Sequence, residues 1–224
     1  MLEEFRKWFP PVLRERVEVL PNAVSRLSLH DTALQRDKFI LSVGRLTAVK
    51  RVGLLIEAWG KIAEHHPDWH LVICGTGPEE ERLRAAVRRL RLQSQVSLEG
   101  DCPETGPYYD RASILCHPAA HEGFGLAVAE ALAHGLPAIG FADCPGVNTL
   151  VRDGSNGLLV KPSDNPVAML SEALERLITD PELRKRLSEH APASMAEYAP
   201  DKIYAQWEVL LRGLGNLRIS DQVT

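Results

Sequence analysis

The sequence predicts an α/β fold: a Rossmann-like, doubly wound parallel sheet of about six strands with helices on both faces and a helical C-terminal tail. Two observations carry that expectation. Between Phe39 and Val160, short β-rich runs alternate with helical stretches about six times, and parallel strands joined by helical crossovers form a sheet covered on both sides. The chain of 224 residues is 45% hydrophobic and 25% charged, ordinary for a globular protein and enough to bury a real core.

Taken in order, Met1 to Arg16 reads as an amphipathic helix interrupted by Pro10 and Pro11, followed by the extended apolar segment "VEVLPNAV". Strands are expected at Phe39 to Val43, His70 to Cys74, Val96 to Leu98, Ile114 to His117, Ala138 to Phe141 and Gly157 to Val160. Helices are expected at Val52 to His65, Glu79 to Leu92 and Leu126 to Ala133. After Val160 the chain turns helical at Asn165 to Thr179, Pro181 to His190 and Asp201 to Leu214, with Asp180 and Pro181 forming a cap and a first-turn proline. The closing "RISDQVT" reads as a frayed end, so the expected division is a short approach segment at 1–23, one α/β domain at 24–215 and a tail at 216–224.

Charge and composition exclude several function classes. A net charge of −4, with Lys and Arg dispersed among Asp and Glu, provides no continuous basic field for nucleic acid. The Arg-rich face of the second helix is offset by Glu79, Glu80 and Glu81 and reads as a solvated surface. The four cysteines are far apart in sequence without a C-x-x-C pair, which fits a reducing cytoplasm. The acidic opening "MLEEFRKWFPP" lacks a secretory h-region, and the longest apolar stretch, Leu126 to Ala142, is broken by Glu130, His134, Gly135 and Pro137.

Ligands of open parallel sheets bind beyond the carboxyl ends of the strands, so the residues just after each strand are the informative ones. After the first strand, Gly44 roots a short turn carrying Arg45 and Lys50; the two cations suit a diphosphate, or are surface charge at a helix start. After the second, "GTGPEE" has Glu80 where a dinucleotide fingerprint needs its third glycine, so Gly75 and Gly77 admit the chain close to a ligand or to the neighbouring loop. After the fourth, Gly123, Phe124, Gly125 and Leu126 lead into the helix that carries Glu130, and amides at a helix N-terminus suit phosphate or hydroxyl oxygens. Glu122 lies just outside that terminus. An ideal helix would set Glu130 about 80° round from it, so the two acids share a cleft only with Glu122 on a loop.

Glu130 is the anomaly, a carboxylate in an otherwise apolar helix. It either meets a ligand's hydroxyls or is bonded to backbone or to His134 one turn on. His117 and His121 flank Pro118, which spoils a helical metal-binding pair, and Ser113 lies in no G-x-S-x-G elbow.

Together, "SVGRLTAVKR", "VICGTGPE", "YYDRASILCHPAAHEGFGLAVAEALAHGLPAI" and "NGLLV" resemble the C-terminal, nucleotide-sugar-binding domain of retaining glycosyltransferases of the GT-B type, family 4. Glu122 and Glu130 match that family's E-x7-E motif, and the likeness runs from about Val17 to Leu211. The resemblance implies that Arg45 and Lys50 hold the diphosphate and stabilise the leaving nucleotide. It implies that Glu130 accepts from the ribose hydroxyls, while Glu122 and the backbone of Gly123 to Leu126 position sugar and phosphates. Gly44, Gly75 and Gly77 would border the same nucleotide. It further implies a metal-independent, cofactor-free reaction through a front-side, oxocarbenium-like route, with a UDP-sugar favoured over a GDP-sugar as donor. Arg51 departs from the family's frequent glycine, and Thr149 from its frequent glutamate.

A GT-B enzyme has two domains, and here "VEVLPNAV" resembles the hinge while Met1 to Arg16 resembles the end of the first domain. The acceptor half, for a glycan or lipid-linked acceptor, is then expected outside this chain, in a longer polypeptide or a separate N-terminal partner chain. The helix around Trp207 would brace that half. Two other readings stand beside it: a non-catalytic nucleotide-sugar-binding module, and half of a sugar-nucleotide epimerase. Phe5, Trp8, Phe9 and Val12 cover the missing domain, or touch lipid and hold a cytoplasmic protein at the inner membrane face.

Overall fold

The computed structural model describes residues 6–14, 17–25 and 36–215. The expected frayed tail and the start of the N-terminal helix, Met1 to Phe5, lie outside the described residues.

Six strands form one sheet: β1 (Phe39–Val43), β2 (His70–Cys74), β3 (Val96–Gly100), β4 (Ile114–His117), β5 (Ala138–Phe141) and β6 (Gly157–Val160). Their order is β3-β2-β1-β4-β5-β6 and every pairing is parallel, so the winding reverses between β1 and β4. The first four residues of β1, together with β4 and β5, are buried, consistent with cover on both faces. β3 runs two residues past its expected end at Leu98, because a register shift at Ile73/Cys74 lets Gly100 pair with Cys74.

The helices are α1 (Pro11–Arg14), α2 (Val52–Gly60), α3 (Glu80–Arg89), α4 (Gly106–Arg111), α5 (Leu126–Ala133), α6 (Pro145–Leu150), α7 (Pro166–Thr179), α8 (Pro181–Ser194) and α9 (Pro200–Gly215). α2 packs against α3 and α7, and α5 against α8. The predicted cap at Asp180 forms, accepting from the Leu183 amide at 2.8 Å, and Asn165, expected inside its helix, caps it instead, accepting from the Ala168 amide at 3.2 Å.

Three expectations change. The helix expected to run to His65 stops at Gly60 and resumes as a 3-10 turn at Ala63–His65, since Gly60 is a poor helix former pressed against Leu90 and Leu92. α4 and α6 were not expected; each opens on a Gly-Pro or Pro-Gly pair, which reads as a turn. The N-terminal helix is, among the described residues, a turn joining Arg6 to Phe9 and the single turn α1, with the break where Pro10 and Pro11 stand.

The chain divides into two compact units, Arg26–Met195 and a smaller one combining Met1–Ser25 with Ala196–Thr224. The larger holds the sheet and all eleven of the expected site residues, Gly44 to Glu130. In the smaller, the Val24 amide donates to Tyr198 O at 2.8 Å and Ile203 is buried.

Candidate functional site

The reversal of strand order sets the loop after β1 beside the loop after β4, and the chemistry gathers there. The first loop is laced to the loop after β2: the Gly44 amide donates to Cys74 O at 3.0 Å, Leu46 to Thr76 O at 2.8 Å, and Glu79 to Leu46 O at 3.0 Å. A Cβ on Gly75 would lie 2.0 Å from Gly44 O, and one on Gly77 2.4 Å from Leu46 O. Both glycines therefore admit the neighbouring loop. Gly44 has nothing within 4 Å of where its Cβ would be.

Lys50 ends a 3-10 turn, Ala48–Lys50, tied to the β4 loop by the Ala120 amide donating to Val49 O at 2.8 Å. Its ammonium forms an ion pair with Glu122 Oε1. The Nε2 of His117, a residue 3% exposed at the end of β4, lies 2.6 Å from that same oxygen. The His117 hydrogen bond first, and Lys50 with it, hold the Glu122 carboxyl down at about 2 against the opposing pull of burial. One carboxylate oxygen thus takes both partners. Behind it, a Cβ on Gly146 of α6 would approach Glu122 Cβ and O to 2.8 Å, so only glycine lets α6 seat the loop. Arg45 is exposed, with no side-chain partner among the described residues.

Gly125, at φ +89°, turns the chain into α5, and no side chain caps that helix. The Val128 amide donates to Gly125 O at 2.9 Å, which leaves the amides of Leu126 and Ala127 and the positive end of the dipole to an anion. α5 is less enclosed than its apolar sequence suggests, for Leu126 is 46% exposed and Glu130 only half-buried. Glu130 Oε2 accepts from the Tyr109 hydroxyl of α4 at 3.0 Å, and burial pushes its carboxyl up. The expected alternative partner, His134, instead has its Nδ1 2.8 Å from Asp110 Oδ1. Arg36 ties these pieces together: Nη1 donates to the carbonyls of Tyr109 (2.8 Å) and Ala112 (2.7 Å), and Nη2 to that of His134 (2.7 Å). A guanidinium here suits the C-terminal carbonyls of α4 and α5.

His117, Tyr109, Arg36 and Gly146 are what sequence reasoning missed. His117 carries a weak signal, a histidine ending a buried strand five residues before the motif glutamate; the others carry none. His121 is exposed, and among the described residues no cluster of three His, Cys, Asp or Glu side chains could hold a metal. Thr149 bends back on α6, its hydroxyl donating to Pro145 O at 2.8 Å. A cavity of about 200 Å³ opens at the carboxyl ends of β1 to β3, lined by Gly44, Arg45, Cys74, Gly75, Asp101 and Cys102 among others. A larger hollow of about 540 Å³ between α2 and α3 contains neither acid.

The family described as glycosyl transferases group 1 matches residues 30–194. An uncharacterised glycosyltransferase of Haemophilus influenzae is 34% identical over 192 residues, 86% of this chain and 54% of its own. A Campylobacter jejuni enzyme named N-acetylgalactosamine-N,N'-diacetylbacillosaminyl-diphospho-undecaprenol 4-alpha-N-acetylgalactosaminyltransferase is 31% identical over 84% of this chain and 52% of its own. This chain thus spans about half the length of both relatives. The crystal structure of the pneumococcal O-GlcNAc transferase GtfA with UDP and GlcNAc superposes with a TM-score of 0.78 at 22% identity, over 88% of this chain and 39% of that one. At that identity the likeness is one of fold, the parallel sheet with helices on both sides of GT-B glycosyltransferases. No helix among the described residues is long and apolar enough to cross a membrane.

Proposed function

The chain belongs to the glycosyl transferases group 1 family, and from that premise we propose that it is the donor-binding half of a retaining, metal-independent, cofactor-free transferase. It takes a hexose or N-acetylhexosamine from a nucleotide diphosphate sugar, UDP favoured, to a glycan or lipid-linked acceptor in the cytoplasm. The observation that carries the reading is the meeting of Lys50, Glu122 and His117 at the switch point, beside an uncapped helix N-terminus. UDP in the pneumococcal neighbour and the undecaprenol-linked acceptor named for the Campylobacter relative support the donor and acceptor classes.

In this reading charge grows on the diphosphate as the glycosidic bond breaks. Arg45, Lys50 and the α5 amides are placed to neutralise it without a metal ion. An ammonium has three donors, so Lys50 can keep Glu122 while reaching a phosphate oxygen. Glu122, ionised and held through one oxygen, leaves the other for a sugar hydroxyl. Glu130 accepts from the ribose hydroxyls, which replace the water its half-buried carboxylate lacks. The acceptor binds a domain outside this chain, contiguous or separate, and the exposed side chains Tyr204, Trp207 and Leu211 of α9 brace that domain.

Calorimetric titration of the purified chain with UDP, GDP and ADP, beside Glu130→Ala, tests this. Saturable binding of UDP, weakened at least tenfold or about 1.4 kcal/mol by the substitution, is expected. Equal binding by wild type and variant would remove Glu130 from the site.

A further inference from the structure

Two of the four cysteines, distant in sequence, meet in the fold. Cys74 is the last residue of β2, 1% exposed, and its ladder partner on β3 is Gly100. Gly100, at φ +74°, turns the chain back, and the Cys102 thiol donates to Gly100 O at 3.6 Å. That same carbonyl takes the Gly75 amide at 2.6 Å. Both cysteines thus adjoin one peptide group, that of Gly100. Both also line the cavity of about 200 Å³ beyond β1 to β3, together with Gly44, Arg45 and Asp101. Cys102 is the accessible one, being partly exposed, whereas Cys116 in β4 and Cys144 at the start of α6 are fully buried.

We propose that Cys74 and Cys102 are a reversible dithiol–disulfide pair in the wall of that cavity, oxidised by a hydroperoxide, and that the disulfide weakens nucleotide diphosphate binding beside it. The Cys102 thiolate attacks the peroxide oxygen, giving a sulfenic acid and releasing hydroxide. The Cys74 sulfur then attacks the sulfenic sulfur, the S–S bond forms and water leaves. With hydrogen peroxide, two thiols yield one disulfide and two waters, and the two electrons lost by sulfur reduce the peroxide. Burial and the neighbouring Cys102 push the Cys74 thiol up, so it suits the resolving role and not the first attack. Closing the bond draws the segment after β3 towards the end of β2, at the expense of the cavity the two sulfurs line.

The effect on binding rests on the donor-site reading above; the formation of the disulfide does not. Reduced protein is titrated with hydrogen peroxide while free thiols are counted, linked peptides are mapped by mass, and UDP affinity is measured before and after. Expected are a fall from four thiols to two, a peptide joining Cys74 to Cys102 that is lost in both Cys102→Ser and Cys74→Ala, and UDP affinity lowered at least fivefold and restored by dithiothreitol. Four thiols persisting, or a link through Cys116 or Cys144, would overturn the pair. A disulfide that forms and leaves UDP affinity unchanged would overturn its coupling to the site. Reduced protein that binds no UDP would count against the donor-site reading alone.

Discussion

Glu130 and Glu122 are separated by eight positions and by opposite physics. Burial pushes Glu130 up, and among the described residues only Tyr109 relieves it, so the folded state binds its proton more readily than the unfolded chain does. Stability from this group is therefore lost as pH rises through its folded value, and at neutral pH its charge is a liability. Glu130→Gln keeps an acceptor for Tyr109 and removes the charge. Its melting temperature at pH 7 should equal or exceed that of the wild type while UDP affinity falls about tenfold. A clearly lower melting temperature would make Glu130 a structural acid. Glu122 is the reverse case, held at about 2 from an ordinary 4.5 by His117 and Lys50. A lowered carboxylate contributes stability above its unfolded value and loses it as pH falls through the folded one. Between pH 4.5 and about 2 the wild type should lose stability more steeply than Glu122→Gln, as read by urea midpoints across that range. Parallel curves would mean that His117 and Lys50 contribute no net stabilisation through Glu122.

At the scale of elements, Arg51 joins the Lys50 turn to α2. It adopts φ +51°, ψ +31°, the left-handed conformation that is costly for any residue with a Cβ. The family resemblance implied a glycine at this position, and this conformation favours one. Arg51 is tolerated because its guanidinium lies 5.9 Å over the ring of Phe141 on β5. Arg51→Ala keeps the strain and loses the ring contact, whereas Arg51→Gly loses both. Glycine should leave the protein more stable than alanine by about 1 kcal/mol in chemical denaturation, which the opposite order would refute. The strand positions were legible because buried parallel strands are short apolar runs with turns between them. The cap of α8 was legible because capping is local. α4 and α6 were not, since helices of six residues are held by packing more than by propensity.

For the whole molecule, the proposal that this chain, about half the length of its relatives, is a donor half has a kinetic consequence. A donor half alone binds the nucleotide sugar without orienting an acceptor, and so lacks the positioning that makes transfer fast. Purified alone, the chain should bind UDP and release sugar to an added acceptor at no more than a small fraction of the rate of the reconstituted two-domain protein. Full transfer by this polypeptide unaided would overturn the division of labour proposed here.

Short apolar runs between helical stretches were enough to predict the sheet, and a local cap one of its helices; the spacing of Glu122 and Glu130 carried the proposal of where its ligand binds. Those are short-range properties, set by residues a few positions apart. The tertiary structure decided which groups meet: His117 and Lys50 on one oxygen of Glu122, Tyr109 on Glu130, Arg36 across two helix ends, Cys102 and Cys74 in the wall of one cavity. Most of these contacts join different elements, and strand order, which no local pattern encodes, brings such elements together.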